Sequence, residues 1–116
     1  MTVMIVEDNP RMRDSIKALV LRHSTALSTI YECANGEQAL EDYKRFHPDL
    51  VLMDIEMEPV DGLAASRSIK RLHPEARIVI VTNYDDSGYR KLAMEVGIEG
   101  YVLKENLTEI LEFIPA

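Results

Sequence analysis

The sequence predicts an α/β domain of five successive strand–helix units, a (βα)5 chain that forms a doubly wound parallel sheet. Three observations support this fold class. The 116 residues are enough for one domain, residues 1–116, and too few for two ordinary cores. Hydrophobic residues make up 47% of the chain and charged residues 28%, the balance of a globular protein. Short apolar runs alternate with segments of helical periodicity, an order that requires helical crossovers between parallel strands.

Five short runs predict the strands. Four of them are apolar throughout, which is typical of strands covered by helices on both faces of a sheet. The second run is weaker. The predicted strands are residues 3–6, 28–31, 50–53, 78–81 and 101–103.

The segments between the strands carry apolar side chains at helical spacing. The first helix is predicted to begin at Pro10 with Asp8 or Asn9 as its cap, and the second follows Asn35-Gly36 and ends before Pro48. The predicted inward-facing positions are Met12, Ile16, Leu19 and Val20 in the first helix, and Ala39, Leu40, Tyr43 and Phe46 in the second.

Proline and glycine signals bound the other three helices. The third is predicted over residues 63–72, before Pro74, and the fourth ends at Gly97 in a left-handed cap. The fifth is predicted over residues 107–114, with Asn106 and Glu109 as a capping-box-like pair. The predicted inward-facing positions are Ala65, Ile69 and Leu72, then Tyr89, Leu92, Ala93 and Val96, then Leu107, Ile110, Leu111 and Ile114.

Composition excludes several classes of function. The formal charge of −7 disfavours direct contact with nucleic acid or an anionic membrane and suits a cationic ligand such as a divalent metal ion. No apolar run approaches the ~18 residues of a membrane span, and the acidic N-terminus does not resemble a signal peptide. The single Cys33 is expected to be a packed, inert thiol in a protein of the reducing cytoplasm. His23, His47 and His73 share no metal-ligand spacing and are interpreted as surface or capping residues.

Polar residues follow four of the predicted strands. Glu7 and Asp8 follow the first strand, Asp54 the third, Thr82 the fourth and Lys104 the fifth. Ligands of doubly wound sheets bind outside the carboxyl ends of the strands, so these side chains are expected to share one cleft. Three carboxylates there would bind Mg²⁺, and a Lys and a Thr hydroxyl beside the ion would hold a phosphoryl group. One of the carboxylates is itself a candidate phosphoryl acceptor.

Several motifs at these positions resemble the receiver domain of bacterial two-component response regulators, and the likeness covers the whole chain in order. Five functional positions stand at the ends of the expected strands. The matching segments are residues 3–9 (VMIVEDN), 34–40 (ANGEQAL), 48–57 (PDLVLMDIEM), 61–62 (DG), 81–82 (VT) and 100–104 (GYVLK).

This resemblance implies a flavodoxin-like fold with strand order 2-1-3-4-5 and a phosphorylation-controlled switch rather than an enzyme. Asp54 would accept a phosphoryl group from a phosphohistidine of a sensor histidine kinase. Asp8 would bind Mg²⁺ directly and Glu7 through a water molecule. Asp54 and the backbone carbonyl of Glu56 would complete the protein ligands.

The resemblance also implies the roles of the remaining site residues. Lys104 would pair with a phosphoryl oxygen, Thr82 would swing to hydrogen-bond the phosphoryl group, and Tyr101 would move inward behind it. Glu56, Asn83 and Tyr84 occupy the positions that tune the phosphoryl lifetime in this family. The fourth helix, fifth strand and fifth helix would carry the output, with dimerisation on phosphorylation.

The chain departs from the family pattern at three places. Glu58 stands where many receivers have Pro, and Pro59 comes one residue later. Glu105 rather than Pro follows Lys104, so no cis peptide bond is expected there. Asn83 is larger than the small residue usual after the threonine, so small phosphodonors are expected to react slowly.

Alternative functions remain. A haloacid-dehalogenase-type phosphatase also has an Asp nucleophile after a strand, here Asp54, with an acid two residues later, but its nucleophile strand comes first and a further acidic motif follows its Lys. A receiver-like module that is never phosphorylated would not need the five intact positions. The stretch GYVLKE resembles receivers fused to a LuxR-type helix-turn-helix domain, which these 116 residues do not contain. We therefore expect either a receiver cut from a longer transcription regulator or a stand-alone receiver, and the short fifth helix would limit pairing through the last two helices.

Overall fold

The computed structural model describes residues 1–23, 27 and 29–115. Its five strands are all parallel and form one sheet. They are β1 (Thr2–Val6), β2 (Thr29–Cys33), β3 (Leu50–Met53), β4 (Ile78–Thr82) and β5 (Gly100–Leu103), in the spatial order β2-β1-β3-β4-β5. The predicted fold class and strand order are therefore confirmed. Ser28, the first residue of the predicted second strand, lies outside the described residues.

Helices cover both faces of the sheet. They are α1 (Pro10–His23), α2 (Gly36–Phe46), α3 (Gly62–Leu72) and α4 (Ser87–Val96), followed by a C-terminal 3-10 segment (Lys104–Phe113). Side chains alternate along each strand, so β1 sends Val3 and Ile5 into a core with α1 and the C-terminal segment. It sends Met4 and Val6 into a second core with α2, α3 and α4.

A side-chain cap begins each of the four α-helices that the structure describes. Asn35 Oδ1 accepts from Gln38 N at 2.8 Å, Asp61 Oδ1 from Ala64 N at 2.8 Å, and Asp86 Oδ1 from Tyr89 N at 2.9 Å. Asp8 and Asn9 were the two predicted caps of α1. Asn9 is the observed cap, and its Oδ1 accepts from Arg11 N at 2.9 Å. Each of these bonds satisfies an amide at the open end of a helix.

The last helix differs from its prediction. It is 3-10 rather than α-helical, it begins at Lys104, and Asn106 interrupts it with non-helical angles (φ −127°, ψ 47°). Among the described residues, the Asn106 side chain does not cap the Glu109 amide. The prediction was wrong because Leu107 and Ile110 are three residues apart, a spacing that places both side chains on one face of a 3-10 helix as well as of an α-helix.

Two leucines that were predicted to face inward are exposed. Leu72 is 55% exposed at the last residue of α3, where Ile69 and Ala76 are the buried side chains. Leu92 is 39% exposed because α4 packs shallowly, and Ala93 is its buried residue among those described. None of the described helices is both long and apolar enough to cross a bilayer.

Candidate functional site

The carboxyl edge of the sheet brings the predicted site residues together. The strand pairing continues one residue beyond β1 and β3: Glu7 N donates to Cys33 O at 2.9 Å and Asp54 N to Val6 O at 3.0 Å. These bonds hold the backbone of both acids at the edge, next to each other. Lys104 begins the C-terminal segment directly after β5, and its side chain reaches across to them.

A lysine ammonium lies against two buried carboxylates. Lys104 Nζ is 2.9 Å from Glu7 Oε1 and 3.3 Å from Asp54 Oδ1, and the carboxylate side chains are each 2% exposed. Asp8 is exposed, and its carboxylate completes a group with Glu7 and Asp54 in which one oxygen of each lies within 4.8 Å of the others. The result is a cluster that is buried on one side and open to solvent at Asp8.

Burial and like charge raise the pKa of the acceptor candidate. Burial, and then the neighbouring charge of Glu7, raise the pKa of Asp54 to about 7 against the opposing effect of Lys104. Burial also raises the pKa of Asp8, with a further increase from Glu7. For Glu7, burial works in the same direction, but the bonds from Lys104 and the Asn9 amide outweigh it and the pKa is lowered.

Burial and the neighbouring charges also oppose each other in their effects on the pKa of Lys104. Burial lowers the pKa of Lys104, but the hydrogen bond to Glu7 and the charges of Asp54 and Glu7 outweigh it, so the pKa is raised. The ammonium therefore stays charged at neutral pH. A single cation among three carboxylates leaves the cluster with an excess of negative charge.

The donor set fits a magnesium ion. Asp54 Oδ2 is buried and accepts no hydrogen bond from the residues that the structure describes. Mg²⁺ prefers one or two carboxylates together with water and phosphate oxygens, and the exposed Asp8 leaves room for these on the solvent side. Glu56 N donates to Asp54 Oδ1 at 3.3 Å. The expected metal contact through the Glu56 carbonyl stays a prediction.

Thr82 and Tyr101 are both bonded to the loop between β4 and α4. Thr82 is fully buried, and its Oγ1 accepts from Tyr84 N at 3.2 Å. The Tyr101 hydroxyl, half-buried, donates to Tyr84 O at 2.6 Å, and the Arg90 guanidinium lies 4.5 Å from the centroid of the Tyr101 ring. Both predicted switch residues thus hold the backbone of Tyr84, a connection that the sequence did not indicate.

An acidic cleft of about 300 Å³ adjoins the cluster. Its lining includes Glu56, Glu58, Asp61, Tyr84 and Tyr89. The charge of Glu56 is the main cause of a raised pKa at the Tyr84 hydroxyl, so these two predicted lifetime-tuning residues face each other. Asn83, the third, is exposed in the loop before α4.

Two further residues support the site. Arg13 Nη1 donates to Glu7 O at 2.8 Å, a role with no signal in the sequence because Arg13 lies on the polar side of α1. Gly62 packs directly on the backbone of Asp54, where a Cβ would overlap the Asp54 carbonyl oxygen. The Asp61-Gly62 motif was the available signal for this contact.

The departures from the family pattern can be compared with the backbone. The Glu58–Pro59 bond is cis, and the bond after Lys104 is not among the cis bonds of the described residues, as expected.

Cys33 is buried, and its Sγ donates to Asn35 O at 3.2 Å. Burial raises the pKa of its thiol to about 11, so the interpretation of an inert, packed thiol is supported.

Comparison with known proteins identifies the family. A statistical model of the response regulator receiver domain matches residues 3–114. The chain belongs to the response regulator receiver domain family. It is a receiver domain of the kind found in two-component response regulators, as the resemblance implied.

Relatives of this receiver domain include transcription regulators and chemotaxis proteins. It is 29% identical over 103 residues to the transcriptional regulatory protein DegU of Brevibacillus brevis, covering 89% of this chain and 43% of that protein. It is 30% identical to the response regulator GacA of Pseudomonas viridiflava, covering 97% and 52%. It is 33% identical to the chemotaxis protein CheY of Bacillus subtilis (strain 168), covering 88% and 83%. The receiver thus spans about half the length of the two regulators and most of CheY.

Solved structures agree with this placement. The receiver superposes on a LuxR-family DNA-binding response regulator from Staphylococcus aureus with a TM-score of 0.88 and 29% identity, covering 97% of this chain and 94% of that chain. A LuxR-family two-component response regulator from Aurantimonas sp. SI85-9A1 gives a TM-score of 0.89 and 30% identity, covering 96% and 79%. The branch suspected from the sequence is therefore represented among its relatives.

Proposed function

We propose that Asp54 of this receiver accepts a phosphoryl group from a sensor histidine kinase in a Mg²⁺-dependent reaction, and that the aspartyl phosphate switches the domain between two conformations. The observation that carries the proposal is the contact of Lys104 Nζ with both Glu7 and Asp54 at the buried end of a three-carboxylate cluster. A structural ion pair would not require two additional acids beside it.

The chemistry follows from the charges in this cluster. An ionised oxygen of Asp54 attacks the phosphorus of the phosphohistidine, the P–O bond forms, and the P–N bond breaks as the electron pair returns to the imidazole. Lys104 neutralises charge that develops on the phosphoryl oxygens, a task of position and electrostatics. Bound at Asp8, Asp54, the Glu56 carbonyl and, through water, Glu7, Mg²⁺ would supply further positive charge to the phosphoryl group.

The switch would act through the loop between β4 and α4. Thr82 Oγ1 accepts a bond from Tyr84 N and Tyr101 donates to Tyr84 O, so turning Thr82 towards a phosphoryl group breaks the first bond and loosens the loop. Tyr101 then follows inward. Glu56, Asn83 and Tyr84 surround the approach and would set the rate at which water removes the phosphoryl group.

The output is proposed to be transcription through a DNA-binding domain outside these residues. DegU is a transcriptional regulator, and this chain spans 43% of its length. A stand-alone receiver that acts by contact with another protein is the second candidate, favoured by the 83% coverage of CheY. In both cases the receiver would function as a regulator in the cytoplasm, where the kinase has ATP, and would not itself contact DNA.

Labelling at Asp54 tests the proposal. With a phosphorylated histidine kinase and Mg²⁺, the protein should take up one acid-labile, hydroxylamine-labile phosphoryl group per chain, and Asp54→Asn should reduce this to background. Asp42→Asn, a carboxylate change on α2, is the matched control and should label normally. Undiminished labelling of the Asp54 variant would refute the assignment, and sustained phosphate release over many turnovers would favour the phosphatase alternative.

A further inference from the structure

A second group of metal-ligating side chains lies at the edge of the sheet opposite to Asp54. His47 precedes β3, and His73 and Glu75 precede β4, so all three stand at the amino ends of these strands. One donor atom of each lies within 4.8 Å of the others. We propose that His47, His73 and Glu75 form a binding site for a divalent transition metal ion, with Zn²⁺ as the best match.

Tertiary packing creates this cluster. His47 and His73 are capping residues, as predicted, but the sequence did not indicate that the two side chains lie close together. His47 and His73 are 26 residues apart in the sequence, yet they end two neighbouring helices, α2 and α3. Their ring centroids are 5.3 Å apart, with an interplanar angle of 89°. His23 lies elsewhere, with its Nε2 at 3.2 Å from Ile114 O.

The separation of two of the candidate ligand atoms suits a tetrahedral ion. His73 Nδ1 is 3.6 Å from Glu75 Oε1. Zinc–nitrogen and zinc–oxygen bonds of about 2.0–2.2 Å place neighbouring ligand atoms of a tetrahedron roughly 3.3–3.6 Å apart. His73 Nε2 is buried, so Nδ1, which faces Glu75, is the nitrogen available to a metal.

Backbone bonds and ring contacts with Tyr43 position both histidines, although the His47 side chain is exposed. The backbone amides of both histidines close the ends of their helices: His47 N donates to Tyr43 O at 2.8 Å and His73 N to Ile69 O at 2.7 Å. The buried Tyr43 ring lies 5.5 Å from the His47 ring and 4.9 Å from the His73 ring. Ordered ligands lose little conformational entropy on binding, which favours affinity.

The charge at this edge also suits a cation. The open carbonyl ends of α2 and α3 carry partial negative charge. Two imidazoles with a carboxylate select Zn²⁺ or its neighbours over Mg²⁺, which prefers oxygen ligands.

Imidazole NMR on the unmodified protein tests the site directly. In buffer with millimolar Mg²⁺ to occupy the acidic cluster, Zn²⁺ should shift the side-chain nitrogen signals of His47 and His73 and leave those of His23 in place. Unshifted His47 and His73 signals at millimolar Zn²⁺, or changes confined to the surroundings of Asp54, would overturn the proposal.

A glycine substitution separates metal binding from helix capping. His47 has φ 43° and ψ 59°, a left-handed conformation that glycine adopts with least strain, so His47→Gly keeps the helix end and removes the ligand. In calorimetry we expect Zn²⁺ affinity to fall at least about 10-fold for His47→Gly and for Glu75→Gln, with His23→Gln as an unaffected control. Equal affinity in all of these proteins would contradict the site.

Discussion

Asp54 is a buried carboxylate in an electrostatically unfavourable environment. Its carboxylate is buried beside that of Glu7, and Lys104 offsets part of the repulsion. Removing Lys104 would leave two buried carboxylates without a compensating charge, which is strongly destabilising. The pKa of about 7 means that the metal-free site exchanges a proton near neutral pH. The proposed phosphoryl acceptor is thus a residue that the fold holds at an energetic disadvantage.

The pH dependence of stability should reveal this disadvantage. The pKa of Asp54 is raised from about 3.9 in the unfolded chain, so the stability linked to its protonated form is complete below pH ~4 and is lost as pH rises through about 7. The Asp54→Asn variant should not lose stability in this way, because its amide does not ionise. Urea unfolding without metal should find the variant more stable than the wild type by about 1–3 kcal/mol at pH 8, and by much less at pH 5. Saturating Mg²⁺ should reduce the difference at pH 8. A difference that does not depend on pH would contradict the assigned pKa.

Access for small phosphodonors is expected to depend on Asn83. Its side chain stands directly after Thr82 in the loop over the site, where a smaller residue would leave more room. Asn83→Ala should therefore speed phosphorylation by acetyl phosphate by roughly 3- to 10-fold, or about 1 kcal/mol in the barrier. A phosphorylation time course checks this, with Asp85→Ala in the same loop as control. An unchanged rate for the Asn83 variant would refute the steric explanation.

Among the elements, the loop between β3 and α3 is held most closely to the site. Gly62 N donates to Ile55 O at 3.0 Å, and the missing side chain of Gly62 lets α3 begin against the backbone of Asp54. The loop between β4 and α4 is held differently, by hydrogen bonds of Thr82 and Tyr101 to Tyr84. One loop is locked by packing and the other by bonds that a phosphoryl group would rearrange.

The packing at Gly62 predicts a site-specific defect. A methyl group in Gly62→Ala would overlap the Asp54 carbonyl oxygen, and such overpacking costs about 1–3 kcal/mol. We expect reduced stability in urea and slower phosphorylation, because the Asp54 backbone must shift. Gly88→Ala in the first turn of α4 is the matched control and should fold normally, since the atom closest to its added Cβ is a side-chain oxygen of Asp86 at 3.0 Å. Equal stability of the two variants would contradict the prediction, because it would show that the loop between β3 and α3 moves to accommodate the methyl group.

At the scale of the whole molecule, charge and apolar surface are distributed unevenly. The net charge of −7 includes the cluster at one edge of the sheet, and the opposite edge holds the histidine group. Between the two edges, α4 exposes Met94 to 80%, beside a cleft lined by Arg90, Ile98 and Tyr101. Tyr101 connects this surface to the loop of Thr82. A change at the proposed phosphoryl site would therefore reach this apolar surface, where we expect a partner to bind.

Association on activation is the expected consequence. With Mg²⁺ and beryllofluoride, a phosphoryl mimic, light scattering should show the average mass rising from that of a monomer towards a dimer. Met94→Glu should prevent the rise by placing a charge in the apolar contact. Leu72→Glu, at an exposed leucine of α3, should not interfere. A mass that stays monomeric with beryllofluoride bound would contradict dimerisation by this domain.

The periodicity of the chain was sufficient to predict the five-unit fold. Apolar runs such as residues 50–53 and 78–81 cannot be exposed, so they had to become strands covered on both faces. Residues directly after parallel strands must share one edge, which is why the positions of Glu7, Asp54 and Lys104 could be predicted. The last helix was mispredicted because its spacing of three residues fits two helix types, and Leu92 because periodicity does not show how deeply a helix packs.

By itself, then, the sequence determined the fold class, the strand order implied by its family, and which side chains meet at the carboxyl edge, because these depend on local periodicity and on strand direction. Tertiary structure alone decided that Tyr101 and Thr82 both hold the backbone of Tyr84, and that His47, His73 and Glu75 converge. Those contacts depend on the lengths of helices and on packing between distant segments. No local sequence pattern indicates these distances, because the residues become neighbours only when the chain folds.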